Sequence, residues 1–153
     1  MGEITTVDLI TIVFSVIAAI FSLITYRNSI IHDRRQSTLD AYNQLQEQAL
    51  DHLNYYRPAE IADIAEDPRS QAYKEVSGYI ARIEHFCVGV TQKIYDRKTV
   101  YKLAHGYFDG AVRDRIEPII ERKNQSGIDY YGNIHSVYGW MEEETQKRMR
   151  KRK

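Results

Sequence analysis

Between residues 79 and 115 the chain interleaves cations with phenols: Arg82, Lys93, Arg97, Lys98, Lys102, His105, Arg113 and Arg115 alternate with Tyr79, Tyr95, Tyr101 and Tyr107. Guanidinium and ammonium groups pair with phosphate oxygens, and a tyrosine ring offers a flat face to a base, so the mixture suits a nucleotide-like anion. Lys93, Arg97, Lys98, Lys102 and His105 are the candidate phosphate contacts. They cluster around the turn before a helix expected to start near Asp96, where free N-terminal amides also favour anions. Tyr101 is the candidate for base stacking. The competing reading is that Asp96, Asp109, Asp114 and Glu117 neutralise these cations on solvated helix faces, and that tyrosines at helical spacing belong to a core.

Catalytic patterns are thin. The chain has no glycine-rich phosphate loop, no zinc-ligand pair at i and i+4, and no nucleophile elbow. His85 and Cys87 lie at i and i+2, which places them on different sides of a helix and prevents them from sharing a metal ion. His32, His52, His105 and His135 are scattered. A single cysteine forbids an intramolecular disulfide and fits a reducing compartment, and its apolar neighbours Phe86, Val88 and Val90 make Cys87 a small core residue. The expectation is a protein that is not an enzyme and holds neither metal nor cofactor.

These groups must be positioned by helices, and the first helix is the most distinctive. Leu9 to Tyr26 runs eighteen residues without charge, glycine or proline. At a rise of 1.5 Å per residue that covers about 27 Å, close to the hydrocarbon thickness of a bilayer. A cleaved signal peptide would need a basic leading region, a shorter apolar core and a small-x-small cleavage site, and none is present. Glu3 and Asp8 precede the span, whereas Arg27, Arg34 and Arg35 follow it, which predicts an external N-terminus and a cytoplasmic remainder at a bacterial inner membrane. Ser15 with Ala19, and Ala18 with Ser22, are small residues four apart, a spacing that lets helices approach closely in lipid.

Beyond the span, Leu39, Tyr42, Gln46, Ala49, Leu53 and Tyr56 recur at steps of three and four and predict a stalk helix that stops before Arg57-Pro58. A short piece is expected around Ala59 to Ala65, and Asp67-Pro68 signals the start of a helix running to about Ile94. Its predicted apolar face is Ala72, Val76, Tyr79, Ile80, Ile83, Phe86, Cys87, Val90 and Ile94. Asp96 then caps a helix through Ile120 that Pro118 should kink or split, Lys123 to Gly127 ends it, and a last helix runs from Ile128 or Tyr130 into the basic tail. The fold class is all-α, with one N-terminal transmembrane helix continuing into a cytoplasmic helical bundle. The expected divisions are 1–8 a short external N-terminus, 9–26 the transmembrane helix, 27–57 the stalk, 58–146 the cytoplasmic domain and 147–153 a basic tail. Net charge is zero but unevenly placed: the first 26 residues carry −2, the last seven +6, leaving −4 between. The tail suits an anionic leaflet or a nucleic acid.

Arg34-Arg35 with Thr38-Leu39, the run Ile83 to Val90, Tyr95-Asp96, Tyr107 to Gly110 and Glu117 to Arg122 resemble, in this order, a family of small bacterial membrane proteins described as a domain of unknown function. In size and plan the chain is also similar to a membrane effector of type III CRISPR defence that senses cyclic tetra-adenylate. That resemblance implies a cyclic oligoadenylate ligand, a homo-oligomer, with a tetramer the guess, and the lipid bilayer as partners. A symmetric oligomer matches a cyclic tetranucleotide by repeating one small patch from each subunit. The resulting expectation is a non-enzymatic effector of antiviral defence that perturbs the membrane. The alternative is a membrane-anchored scaffold that recruits a protein partner.

Overall fold

The computed structural model describes residues 6–151, apart from the side chains of Thr6, Asp8, Asp109 and Ala111; the N-terminal five residues and the last two of the basic tail lie outside the described residues. Helix α1 spans Thr6–Leu45 and passes through a π-helical turn, Gln46–Leu50, into α2 at Asp51–Asn54. After it come α3 (Pro58–Glu66), α4 (Gln71–Thr91), α5 (Arg97–Tyr107), a second π turn at Phe108–Val112, α6 (Arg113–Asn124) and α7 (Gly132–Arg150). Among the described residues there is no strand, so the fold is the expected all-α class.

Nothing interrupts α1 because the chain offers no proline or glycine from Thr6 to Leu45 and its hydroxyls bond within the helix. Thr11 Oγ1 donates to the Val7 carbonyl and Ser15 Oγ to the Thr11 carbonyl, each at 2.9 Å. The helical run continues from Leu9 to Asn54, and its most apolar eighteen-residue window is wholly unburied. Phe14, Phe21 and Leu23 stand out into the surroundings. A core helix of a soluble protein would have this surface covered by its own chain, so the exposure fits a helix that crosses a bilayer.

The core of the bundle forms where the far end of α1 meets the other helices. Tyr42, Leu45, Ala49, Leu50 and Leu53 are buried, whereas Gln46, an expected seam position, is exposed. The π turn accounts for the change: a wider turn inserts a residue, so Leu45, Ala49 and Leu50 all reach the core and Gln46 is carried outward. α4 is the central element, lying against α7, α3 and α1, while α3 packs on α6. Its Val76, Ile80, Ile83, Cys87 and Val90 pack in one core with Ile134, Val137 and Met141 of α7 and Ile116, Ile119 and Ile120 of α6.

Several boundaries differ from expectation for local reasons. Asp67 closes α3 and accepts from Arg69 N at 3.1 Å, so α4 begins three residues later than the sequence suggests, capped by Ser70, whose Oγ accepts from Tyr73 N at 3.1 Å. At its other end α4 stops at Thr91 and not Ile94. Lys93 adopts a left-handed conformation (φ 60°), Ile94 is turned out at 60 % exposure, and both Ile94 N and Tyr95 N donate to the Gly89 carbonyl. Tyr95 thereby folds back so that its ring lies directly on the Cα of Gly89 and stacks on Phe86 at 5.2 Å. A side chain at residue 89 would occupy that space. Pro118 sits inside α6 without dividing it; the irregularity lies upstream at Phe108–Val112, where the π turn buries both Phe108 and Val112. α7 starts at Gly132 and not at Ile128 or Tyr130, both of which are exposed. Its N-terminus is capped from α4: the Glu84 carboxylate accepts from Asn133 N (3.2 Å), Asn133 Nδ2 (2.7 Å) and Ile134 N (2.9 Å).

Candidate anion-binding site

The residues singled out for anion binding are organised by Asp96. Its carboxylate accepts from Thr99 N at 2.9 Å and from Thr99 Oγ1 at 2.6 Å, which caps α5 as the sequence predicts. Its own N–H donates at 2.8 Å to Oγ1 of Thr38, a fully buried threonine on α1 whose hydroxyl in turn donates to the Arg34 carbonyl at 2.7 Å. Partial burial works against ionisation of Asp96, but the two Thr99 hydrogen bonds, helped by Arg35 and Lys98, outweigh it and hold its carboxyl below the ordinary range. The first turn of α5 is therefore fastened to the stalk at a point twelve residues, or about 18 Å, beyond Tyr26.

Arg97 and Lys98 follow directly and enter a cleft of about 390 Å³ between α5 and the second half of α7, whose other walls are Tyr101, Trp140, Glu144 and Arg148. Three cations face one carboxylate. The Arg97 guanidinium lies 5.3 Å from the centre of the Trp140 ring and its Nε donates to the Val90 carbonyl at 3.4 Å. Arg148 donates to Glu144 at 2.8 Å and covers the Tyr101 ring at 4.2 Å. Tyr101 is buried, its hydroxyl sharing a 2.8 Å hydrogen bond with Thr145 Oγ1 and its ring tilted against His105 at 4.6 Å.

Of the six candidates, Arg97, Lys98 and Tyr101 line this cleft, and His105 adjoins it through Tyr101. Lys102 is exposed one turn beyond Lys98 on α5, and Lys93 is exposed in the turn before the helix; neither lines the cleft. A ring stacking on Tyr101 must displace Arg148. Trp140, Glu144 and Arg148 were missed by reading one segment at a time. They were legible as an i, i+4, i+8 row on the last helix, but nothing local says that this row faces α5.

Neither nucleophile nor metal chemistry gathers around the cleft. Among the described residues no three His, Cys, Asp or Glu side chains come together as a metal site needs. Cys87 is fully buried as expected, and burial, assisted by Glu84, pushes its thiol well above the ordinary range. The structure thus defines a helical protein with one exposed helix of membrane-spanning length and a helical bundle that carries a basic, aromatic cleft. The chain belongs to the family described as a domain of unknown function, DUF4760, whose model matches residues 9–140. No curated protein and no solved structure matches it.

Proposed function

We propose that this protein is a single-pass, self-associating membrane effector, with its N-terminus outside a bacterial inner membrane and its bundle in the cytoplasm. On this reading the bundle takes a phosphate-rich ligand, a cyclic oligoadenylate, at the α5–α7 cleft, and the stalk passes the event to the membrane. The observation that carries it is the distribution of polar groups along α1. Every serine and threonine between Leu9 and Tyr26 (Thr11, Ser15, Ser22 and Thr25) falls, with Ala18, on steps of four and three. At 100° per residue they occupy a sector about 80° wide. Thr38, Tyr42 and Leu45, which bind α1 to the bundle, project about 180° away from it.

That arrangement favours assembly over a lone anchor. Copies can approach along the small, hydroxyl-bearing face while their bundles radiate outward without collision, and the four–three spacing is that of a left-handed helical assembly. The same sector continues past the membrane as Ser29, Asp33, Gln36 and Asp40, all exposed. Two hydrogen bonds run along it, from Ser29 Oγ to Asp33 Oδ2 at 3.4 Å and from Gln36 Nε2 to Asp40 Oδ1 at 3.0 Å. In a ring of copies, hydroxyls line the bilayer portion and carboxylates the cytoplasmic mouth, a lining that passes cations. A ligand drawing on Arg97 and Lys98 pulls at the residues next to Asp96, and so at Thr38 on the stalk; signalling requires only that the ligand bind one stalk arrangement better than another.

The test is a flux assay on the full chain in vesicles. Cyclic tetra-adenylate should induce cation efflux in the wild type, and the Arg97→Glu/Lys98→Glu variant should neither bind the ligand nor respond. A folded, membrane-inserted wild type that fails to bind any cyclic oligoadenylate overturns the ligand, and binding without efflux overturns the effector role.

A further inference from the structure

A second cleft, also of about 390 Å³, lies between the stalk and α4 and is bordered by Tyr95, the residue before Asp96. Gln44 and Gln48, one turn apart on the stalk side, face Arg82 and His85, one turn apart on α4; Phe86 and Tyr95 supply the aromatic part of its wall. No carboxylate lines it. None of the four polar side chains has a hydrogen-bond or ion-pair partner among the described residues, in contrast to the Arg148–Glu144 pair of the α5–α7 cleft. Four exposed polar side chains that no protein group engages thus line one cleft with an aromatic wall, in a volume of the size that holds small ligands.

We infer that this cleft binds a nucleoside monophosphate: a planar heterocycle bearing one phosphate. The phosphate is the partner of Arg82, whose planar fork matches it in bidentate fashion, with His85 one turn away as a further donor. Each glutamine amide offers a donor and an acceptor in one plane, the pairing that reads the edge of a purine. Tyr95, held on Phe86 and Gly89, presents a rigid ring beside them. Because Gln44 and Gln48 belong to the stalk and Arg82 and His85 to the bundle, the ligand bridges the two and stabilises their docked arrangement by mass action. The site is independent of the α5–α7 cleft and does not require that cleft to bind anything.

The experiment is calorimetric titration of the full chain in nanodiscs with AMP, ribose 5-phosphate and adenosine. AMP should bind, with ribose 5-phosphate and adenosine each weaker by on the order of tenfold, since each lacks one half of the contact set. Arg82→Ala should weaken AMP and ribose 5-phosphate alike, again by on the order of tenfold, and leave adenosine unchanged. The double variant Gln44→Ala/Gln48→Ala should erase the advantage of AMP over ribose 5-phosphate. All four polar residues are exposed or at the surface of their helices, so these variants keep their helical signal and cooperative melting. Arg97→Glu/Lys98→Glu should retain AMP binding, which separates this site from the proposed effector site. Absence of AMP binding by the folded wild type, equal binding of ribose 5-phosphate, or binding unaffected by Arg82→Ala overturns the inference.

Discussion

Replacing Thr38 by valine exchanges one hydroxyl for a methyl group of similar size, and the structure assigns that hydroxyl a specific task. Thr38 is fully buried, so valine fits the same space without opening a cavity. What is lost is the acceptor for Asp96 N at 2.8 Å, together with the donor to the Arg34 carbonyl at 2.7 Å. The Arg34 carbonyl keeps its backbone partner in the helix, but the Asp96 amide precedes α5 and has no replacement, so the cost is that of stranding one part-buried N–H, about 1–3 kcal/mol. Spread over a domain of this size, that lowers Tm by roughly 3–10 °C. The local signature is sharper than the global one. Amide exchange at Asp96 and Thr99 should accelerate on the order of ten- to a hundredfold, because the cap of α5 is no longer fastened to the stalk, while amides in the middle of α4 should change only as far as global stability falls. Thr38→Ser keeps the oxygen and loses a buried methyl, costs about 1 kcal/mol, and should leave exchange at Asp96 close to wild type. Equal exchange at Asp96 in Thr38→Val and wild type, or equally accelerated exchange there in the serine and valine variants, would refute the assignment of the hydroxyl as the clasp.

Glu84→Ala should destabilise the bundle by about 1–3 kcal/mol by uncapping α7, with exchange accelerating first at Asn133 and Ile134, and Glu84→Gln should recover part of the loss because one acceptor oxygen remains. Ser15→Leu/Ser22→Leu places two large side chains on the close-packing face of the span; the chain should still insert, but crosslinking in vesicles should yield monomers where the wild type yields oligomers. The pH dependence follows from Asp96, whose carboxyl is held below its ordinary value of 3.8. The folded state binds that proton less readily than the unfolded state, so the contribution of Asp96 to stability is present above about pH 4 and is lost as the pH falls further through its folded value. Acid titration of amide exchange at Thr99 should show that loss, and Asp96→Asn should flatten it.

Much of this arrangement was legible because it is local. The helices at the span, around Ile83 and around Ile116 follow from period and from the absence of strand alternation, and Asp96 as a cap follows from its position before Arg97. The errors were also local, at places where two signals competed. Asp67 and Ser70 are both cap formers three residues apart, and the second prevailed because a turn through Pro68 and Arg69 delivers Ser70 N to the Asp67 carbonyl. Ile94 continued a helical period that Lys93 had already broken by turning left-handed. The π turns at Gln46–Leu50 and Phe108–Val112 were invisible, since an inserted residue is chosen by which side chains the core accepts.

By itself the sequence determined that the protein is helical, that one helix is long and apolar enough to cross a membrane, and that cations and tyrosines are concentrated near the start of α5, since composition and period act within a single segment. Only the tertiary structure decided which of those cations share a cleft, that Trp140 and Arg148 join them, that Glu84 caps a helix forty-eight residues further on, and that Thr38 ties the stalk to Asp96. Those pairings join segments far apart in the chain, and they are selected by how helix faces of particular width and register bury one another, which no single segment encodes.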